Sequence, residues 1–260
     1  MLTQKQYDVY QEDGFVAVEG MVSAESVSSI QESFGILVHR LGEGSQGSRG
    51  SVSKALGHYS SMKNNSPKVA SAIYDTLTTS AAVQGLFLDK KILEGVSYLL
   101  GTDQQALSHF FRCLRIDPAG ENPNELDWHQ DFQDSATASL DASDGLTVWI
   151  PLTPVGFASG SLELCRGSQH QRIESVKVEN QENQNLSQKI IIDDSEADRY
   201  DKVIIEAEPG TAVFMNMNVL HRSHAAPVGA DWRFTALGRY FDISSQNFVL
   251  GAQRFVPSEI

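Results

Sequence analysis

The sequence predicts an α+β protein, mainly β, in which a helical first third precedes a sandwich or barrel built from two sheets. Up to about residue 105, apolar residues recur at helical spacing between capping residues. From residue 106 onward, short β-prone runs alternate with turn residues. No linker or fixed-period repeat separates the two parts. We therefore expect one domain over residues 1–260, with a helical part at 1–105 and a β core at 106–245.

The first elements are a short helix and a short strand. Thr3 is placed to cap a helix that runs through Tyr10 and ends near Gly14. The apolar run Phe15–Val18 follows directly and predicts a strand.

Three longer helices are predicted after this strand. Ser23 precedes apolar residues at helical spacing (Val27, Ile30, Phe34, Leu37, Val38 and Leu41). The glycine- and serine-rich residues 42–51 indicate a surface loop. Ser66 followed by Pro67 is typical of a helix start, and the run from residue 89 predicts a helix that closes at Gly101.

The β core is predicted from seven runs with turns between them: residues 106–116, 126–132, 145–152, 160–165, 202–208, 210–223 and 232–243. A polar segment, Gln169–Lys202, interrupts these strands. Segments of this length inside a compact domain are usually functional lids or passive excursions. We expect a lid, and the apolar residues 190–192 are the part expected to dock.

Charge and composition indicate which classes of partner the protein can bind. The formal net charge is −13, whereas a nucleic-acid partner requires a basic face. No apolar run is long enough for a membrane span, and the first residues lack the pattern of a signal peptide. The two cysteines are too few for a disulfide framework. These features predict a cytoplasmic protein that binds neither nucleic acid nor a membrane, and they leave an anionic small molecule open as its partner.

The run "LDWHQDF" places His129 and Asp131 two residues apart. On a strand both side chains point to the same face, so they enter the interior together and need a metal or a hydrogen-bonding partner. Chance alone supplies about half of one such pair in a chain of this composition. At this point a metal site and an ordinary buried His–Asp pair are both open.

A second polar cluster favours a metal site over an ordinary buried His–Asp pair. His221 and His224 follow an alternating strand, and two imidazoles with one carboxylate form the facial triad of non-haem Fe(II) oxygenases. Arg233 lies twelve residues beyond His221, and an arginine can bind a carboxylate through two parallel hydrogen bonds.

Together these segments resemble the phytanoyl-CoA dioxygenase family of Fe(II)/2-oxoglutarate oxygenases. "WHQDF" is similar to the family's H-x-D strand, "GLTVWIPLTPVGFASGSLELCRGSQH" to its tryptophan strand and glycine turn, and "PGTAVFMNMNVLHRS" to its distal-histidine strand. The resemblance implies a double-stranded β-helix (jelly roll) with the N-terminal helices packed on an outer face. It also implies an oxidoreductase that consumes Fe(II)-bound 2-oxoglutarate and O2 and hydroxylates a small molecule, with release of succinate and CO2.

Carried over residue by residue, the resemblance makes His129, Asp131 and His221 the iron ligands, with His221 preferred over His224. Arg233 binds the remote carboxylate of 2-oxoglutarate, with Arg239 as a rival. The co-substrate pocket is lined by Trp149 and Ser223.

Expected substrate contacts are Arg115, Phe132 and Asn218. The sequence departs from the family pattern at Ala226 and Arg166. Desaturation or cyclisation on the same scaffold, and a cupin-like metal-binding protein without turnover, are the alternatives.

Overall fold

The computed structural model describes residues 2–41, 52–117, 126–133, 141–179, 188–224 and 232–248. Its helices are α1 (Gln4–Asp13), α2 (Ala24–Leu41), α3 (Val52–Asn65), α4 (Pro67–Thr78), α5 (Ala81–Phe87), α6 (Lys90–Leu100) and α7 (Asp194–Ala197). Its strands are β1 (Phe15–Val18), β2 (Leu107–Asp117), β3 (Gly145–Pro151), β4 (Ser161–Cys165), β5 (Val176–Glu179), β6 (Gln188–Ile191), β7 (Lys202–Ile204), β8 (Ala212–Asn216), β9 (His221–His224) and β10 (Arg233–Asp242). The predicted loop 42–51 and Ala226 lie outside the described residues.

The helix ends show how local sequence sets these boundaries. Thr3 and Gln6 form a reciprocal capping box, in which the Gln6 backbone amide donates to the Thr3 hydroxyl at 3.3 Å and the Thr3 backbone amide donates to the side-chain Oε1 of Gln6 at 2.8 Å. Gly14 ends α1 with a φ of 85°, a conformation that costs glycine little. The hydroxyl of Ser23 accepts from the Ser26 amide at the start of α2.

The predicted cap at Ser66 is wrong in one respect. Ser66 precedes Pro67 at the start of α4, but its side chain makes no capping hydrogen bond. The ring of a following proline keeps the preceding residue out of the helical region, and Ser66 has φ −148° and ψ 59°. The helix start therefore depends on the preset φ of Pro67 rather than on the serine hydroxyl.

The larger sheet has five antiparallel strands in the order β1-β8-β3-β10-β2. Residues paired across neighbouring strands share a face, so alternate positions divide into an outer and an inner set. The outer set packs against the helices and forms the main core with them; it includes Val16, Val148, Ile150, Phe214, Phe234 and Ala236. The helices therefore cover one face of this sheet.

The smaller sheet has the order β7-β4-β9 and packs over the inner face of the larger one. Apolar side chains fill the space between the sheets: Phe15, Trp149, Leu162, Leu164, Val213 and Met215. The run 210–223, predicted as one strand, is two, because the chain leaves the larger sheet after Asn216 and joins the smaller one at His221. This crossing carries His221 over to the sheet that faces Trp149.

The polar segment Gln169–Lys202 contains the antiparallel pair β5–β6 and the short helix α7. Ile192 and Ala197 are buried in a small cluster with Trp128, Cys165, Ile173 and Leu220. The Ile192 amide also donates to the Trp128 carbonyl at 2.9 Å. The C-terminal part of the segment is therefore packed against Trp128, which directly precedes His129.

The α+β fold class with antiparallel sheets and helices on one side is confirmed. Within the described ranges, no helix is both long and apolar enough to span a membrane. Cys113 and Cys165 are both free thiols.

Candidate metal centre

Three predicted side chains meet between the two sheets. One donor atom each from His129, Asp131 and His221 lies within 4.8 Å of the other two. The Nε2 atoms of His129 and His221 lie 3.8 and 3.9 Å from the same carboxylate oxygen, Oδ1 of Asp131. Asp131 and His221 are buried, and the His129 side chain is 13% exposed. The group is thus buried, with limited solvent access at the His129 imidazole.

The backbone holds the two histidines opposite each other. The His129 amide donates to the His221 carbonyl at 2.9 Å, and the His221 amide donates back at 3.0 Å. The prediction of a regular strand here is wrong, because His129 forms a single bridge and Asp131 begins a 3-10 turn. Even without a regular strand, the turn places the Asp131 carboxylate beside the rings of His129 and His221.

The ring contacts leave the metal-facing nitrogens free to coordinate. Nδ1 of His129 lies 2.7 Å from the Asp127 carbonyl, and Nδ1 of His221 lies 2.9 Å from the Val219 carbonyl. A carbonyl can only accept, so each Nδ1 donates to its carbonyl, and Nε2 is the ring nitrogen of each histidine that points toward Asp131. Burial, assisted by the neighbouring His221, lowers the pKa of His129 to about 4. His129 is therefore neutral, as a metal ligand must be.

The carboxylate of Asp131 is held at both oxygens. Nη2 of Arg239 donates to Oδ1 at 2.6 Å, and the Thr147 hydroxyl donates to Oδ2 at 2.6 Å. The Arg239 guanidinium also lies 5.0 Å from the Phe111 ring centroid. Burial alone would raise the pKa of Asp131, but Arg239, the imidazoles and the Thr147 bond together hold that pKa well below its usual range. The carboxylate is therefore charged.

Sequence reasoning considered Arg239 only as a rival co-substrate clamp and missed its pairing with Asp131. A signal for its position was available, because residues 233, 235, 237 and 239 alternate on one face of a strand. That face is the inner one, since Leu237 and Arg239 pair with Trp149 and Thr147 of β3. The partner was not predictable, because it comes from a turn 108 residues earlier.

Arg233 lies on the same inner face but has a different partner. Its Nε and Nη2 donate to Oδ2 of Asp117 at 3.3 and 2.7 Å, and its Nη1 donates to the Ser161 carbonyl at 3.0 Å. Nε of Arg115 donates to the same oxygen of Asp117 at 3.3 Å. The carboxylate of Asp117 therefore accepts from two guanidinium groups, those of Arg115 and Arg233. Asp117 was not singled out from the sequence.

The remaining predicted residues lie at different places around this interior. Trp149 is buried in the apolar layer between the sheets. The Ser223 hydroxyl accepts from the Leu126 amide at 3.2 Å, a contact that fixes the chain entering the H-x-D turn. His224 lies apart from the triad, with its ring 5.0 Å from the ring of Phe157.

The two other expected substrate contacts flank the H-x-D turn. Phe132 is half-buried, and the guanidinium of Arg172 lies 5.3 Å from its ring centroid. Asn218 is also half-buried, and its Oδ1 is buried without a hydrogen-bond partner among the residues that the structure describes.

Two imidazoles and one carboxylate in the interior of a two-sheet β fold define the facial-triad class of non-haem iron proteins. A family model described as phytanoyl-CoA dioxygenase (PhyH) matches residues 10–231. The chain belongs to the phytanoyl-CoA dioxygenase family. The family and the class of oxidoreductase expected from the sequence are thereby confirmed.

Solved structures show the same fold. EctD from S. alaskensis, crystallised with 2-oxoglutarate and 5-hydroxyectoine, superposes with a TM-score of 0.61 at 18% identity, covering 94% of this chain and 77% of that one. The non-heme α-ketoglutarate-dependent carbocyclase SnoK from nogalamycin biosynthesis gives 0.62 at 16% identity, covering 93% and 84%. The non-heme monooxygenase ThoJ gives 0.61 at 18%, covering 91% and 77%. No significant match exists among curated protein sequences.

Proposed function

We propose that this chain is an Fe(II)/2-oxoglutarate-dependent dioxygenase that hydroxylates an unactivated C–H bond of a small molecule. One O2 and one 2-oxoglutarate are consumed, one oxygen atom enters the substrate, and succinate and CO2 are released. The observation that carries this proposal is the buried group of His129, Asp131 and His221, whose donor atoms converge within 4.8 Å. Membership of the dioxygenase family supports it.

The donor set fits Fe(II). Nε2 of His129, Nε2 of His221 and Oδ1 of Asp131 would hold the ion, and a triad of this kind leaves three coordination positions for 2-oxoglutarate and O2. The bound ion supplies the O2 chemistry. The protein supplies orientation, since Arg239 and Thr147 hold both oxygens of Asp131.

Arg233, on the inner face of β10, would bind the remote carboxylate of 2-oxoglutarate, whose other end would bind the metal ion. Burial strengthens a guanidinium–carboxylate contact, and the bond from Arg233 to Asp117 fixes the plane of the guanidinium. Trp149 would form an apolar wall between the two ends, and Ser223 would lie at the edge of the same pocket.

We further propose that residues 1–260 act as one domain and that the segment 169–202 covers the substrate side of the centre. Burial of Ile192 beside Trp128 supports a docked position for this segment. The free thiols of Cys113 and Cys165 suit a cytoplasmic protein, and the net charge of −13 disfavours nucleic acid as a partner.

The test is succinate release from 2-oxoglutarate in the presence of Fe(II) and O2 across a panel of small molecules, with product analysis by mass. A product heavier by one oxygen atom supports hydroxylation. A product lighter by two hydrogen atoms would indicate desaturation or cyclisation instead. Failure of wild-type protein to bind Fe(II) would contradict the proposal, whereas Fe(II) binding without succinate release would favour a metal-binding protein without turnover.

A further inference from the structure

Gln130, the residue between the two ligands of the H-x-D turn, is fully buried although its amide is polar. Its Nε2 donates to two backbone carbonyls, those of Gln171 at 2.8 Å and Asn218 at 2.6 Å. Its Oε1 accepts from the Ile173 amide at 2.9 Å. A glutamine amide offers two donors and an acceptor in one plane, and this site uses both kinds.

These three bonds join three separate parts of the chain. Gln130 itself lies between His129 and Asp131, and Asn218 lies three residues before His221. Gln171 and Ile173 belong to the start of the polar segment 169–202. The amide therefore connects the turn that carries two ligands with the turn that leads to the third, and connects both with the root of that segment.

We infer that Gln130 is a positioning residue that aligns His129 and Asp131 with His221 and couples the metal centre to the segment 169–202. This inference rests on the proposed function. A shift of the 129–131 turn against the 218–221 turn would move the donor atoms apart, and a metal ion tolerates little such movement. Partners that orient metal ligands typically contribute 10- to 100-fold to metal affinity. Binding of the ion should in turn steady the backbone at residues 171–173, because Gln130 is bonded to it at two points.

The sharpest variant is Gln130→Glu, which keeps the shape and the bond from Ile173. It replaces both donors with an oxygen that faces the carbonyls of Gln171 and Asn218. The matched control is Gln31→Glu on α2. There, Nε2 of Gln31 donates to the Leu152 carbonyl at 2.6 Å on the helical side of the larger sheet. Gln130→Glu loses two glutamine-to-carbonyl bonds and Gln31→Glu loses one, but only Gln130 lies beside the metal centre.

The probe is Co(II), a redox-stable ion whose visible absorption reports its ligands, titrated into the metal-free protein. We expect the dissociation constant to rise by about 10- to 100-fold in Gln130→Glu, and to stay within about twofold of wild type in Gln31→Glu. An unchanged Co(II) affinity in Gln130→Glu overturns the inference.

A second measurement tests the coupling in wild-type protein as well as in the variant. In wild-type protein, Co(II) should slow hydrogen exchange of the backbone amides at 171–173, and this metal-dependent protection should be lost in Gln130→Glu. Exchange at 171–173 that ignores Co(II) in wild type overturns the coupling, even if Gln130→Glu fails to fold. The proposed function fails in a different way, namely if wild-type protein shows no Co(II) binding.

Discussion

Loss of Arg239 should destabilise the metal-free protein far more than loss of an exposed arginine. Nη2 of Arg239 lies 2.6 Å from Oδ1 of Asp131, and the two residues are only 4% and 2% exposed. Removing one member of such a buried pair leaves an uncompensated charge and typically costs about 3–5 kcal/mol. The bond from Thr147 remains, so we expect a value near the lower end, about 3 kcal/mol, for Arg239→Met.

The assay is urea unfolding of metal-free protein in the presence of a chelator at pH 7.5. The control is Arg199→Met, because Arg199 lies 2.7 Å from Glu196 in a pair whose side chains are 54% and 34% exposed. An exposed pair contributes at most about 1 kcal/mol. At this chain length, 3 kcal/mol corresponds to a fall of roughly 6–12 °C in the melting temperature.

Asp131→Asn in the Arg239→Met background separates charge from packing. Asparagine is neutral and still accepts the bond from Thr147, so the double variant should recover about 2 of the 3 kcal/mol. Equal destabilisation by Arg239→Met and Arg199→Met would refute the reasoning. A double variant that recovers nothing would refute the part that assigns the cost to the unpaired carboxylate.

Further predictions concern the clamp, a buried histidine and the polar segment. Arg233→Lys should raise the 2-oxoglutarate concentration needed for half-maximal activity by an amount equivalent to about 2–4 kcal/mol, because two parallel guanidinium hydrogen bonds become a single contact. The control Arg40→Lys on α2 should leave this concentration unchanged. No change in Arg233→Lys would mean that another residue binds the remote carboxylate. Burial, with a smaller effect of Arg112, lowers the pKa of His109 to about 4, so its contribution to stability is complete above pH 6.5 and is lost as the pH falls toward 4. Between pH 7.5 and pH 4.5, wild type should lose about 2 kcal/mol more of its unfolding free energy than His109→Phe does, a figure reduced for partial exposure of the ring. Equal losses in the two proteins would contradict this prediction. Limited proteolysis should cut residues 169–202 more slowly once Mn(II) and 2-oxoglutarate are bound, and equal rates would make the segment a passive loop.

The sequence predicted the parts of the fold that depend on local patterns. The capping residues of α1, the apolar spacing of α2 and the alternation along β10 all correspond to elements in the structure. The break between Asn216 and His221 was not predicted, because an apolar run looks the same whether it stays in one sheet or crosses to another.

The candidate site shows the same limit at the level of single residues. The residue types of a facial triad were visible in the sequence, and the structure brings those three side chains together. The ion pairs of Arg239 with Asp131 and of Arg233 with Asp117 join residues 108 and 116 positions apart, and no local pattern encodes them. The role inferred for Gln130 likewise depends on three backbone groups that only the folded chain brings to its amide.

The central claim is that His129, Asp131 and His221 hold one metal ion, and anaerobic Fe(II) titration with 2-oxoglutarate tests it most directly. The visible charge-transfer absorption of an Fe(II)–2-oxo acid chelate reports the bound state. We predict saturation at one ion per chain in wild type and in His224→Ala, and loss of that absorption in His129→Ala, Asp131→Ala and His221→Ala, with the fold retained in each. Normal binding by His221→Ala together with loss of binding in His224→Ala would contradict the account.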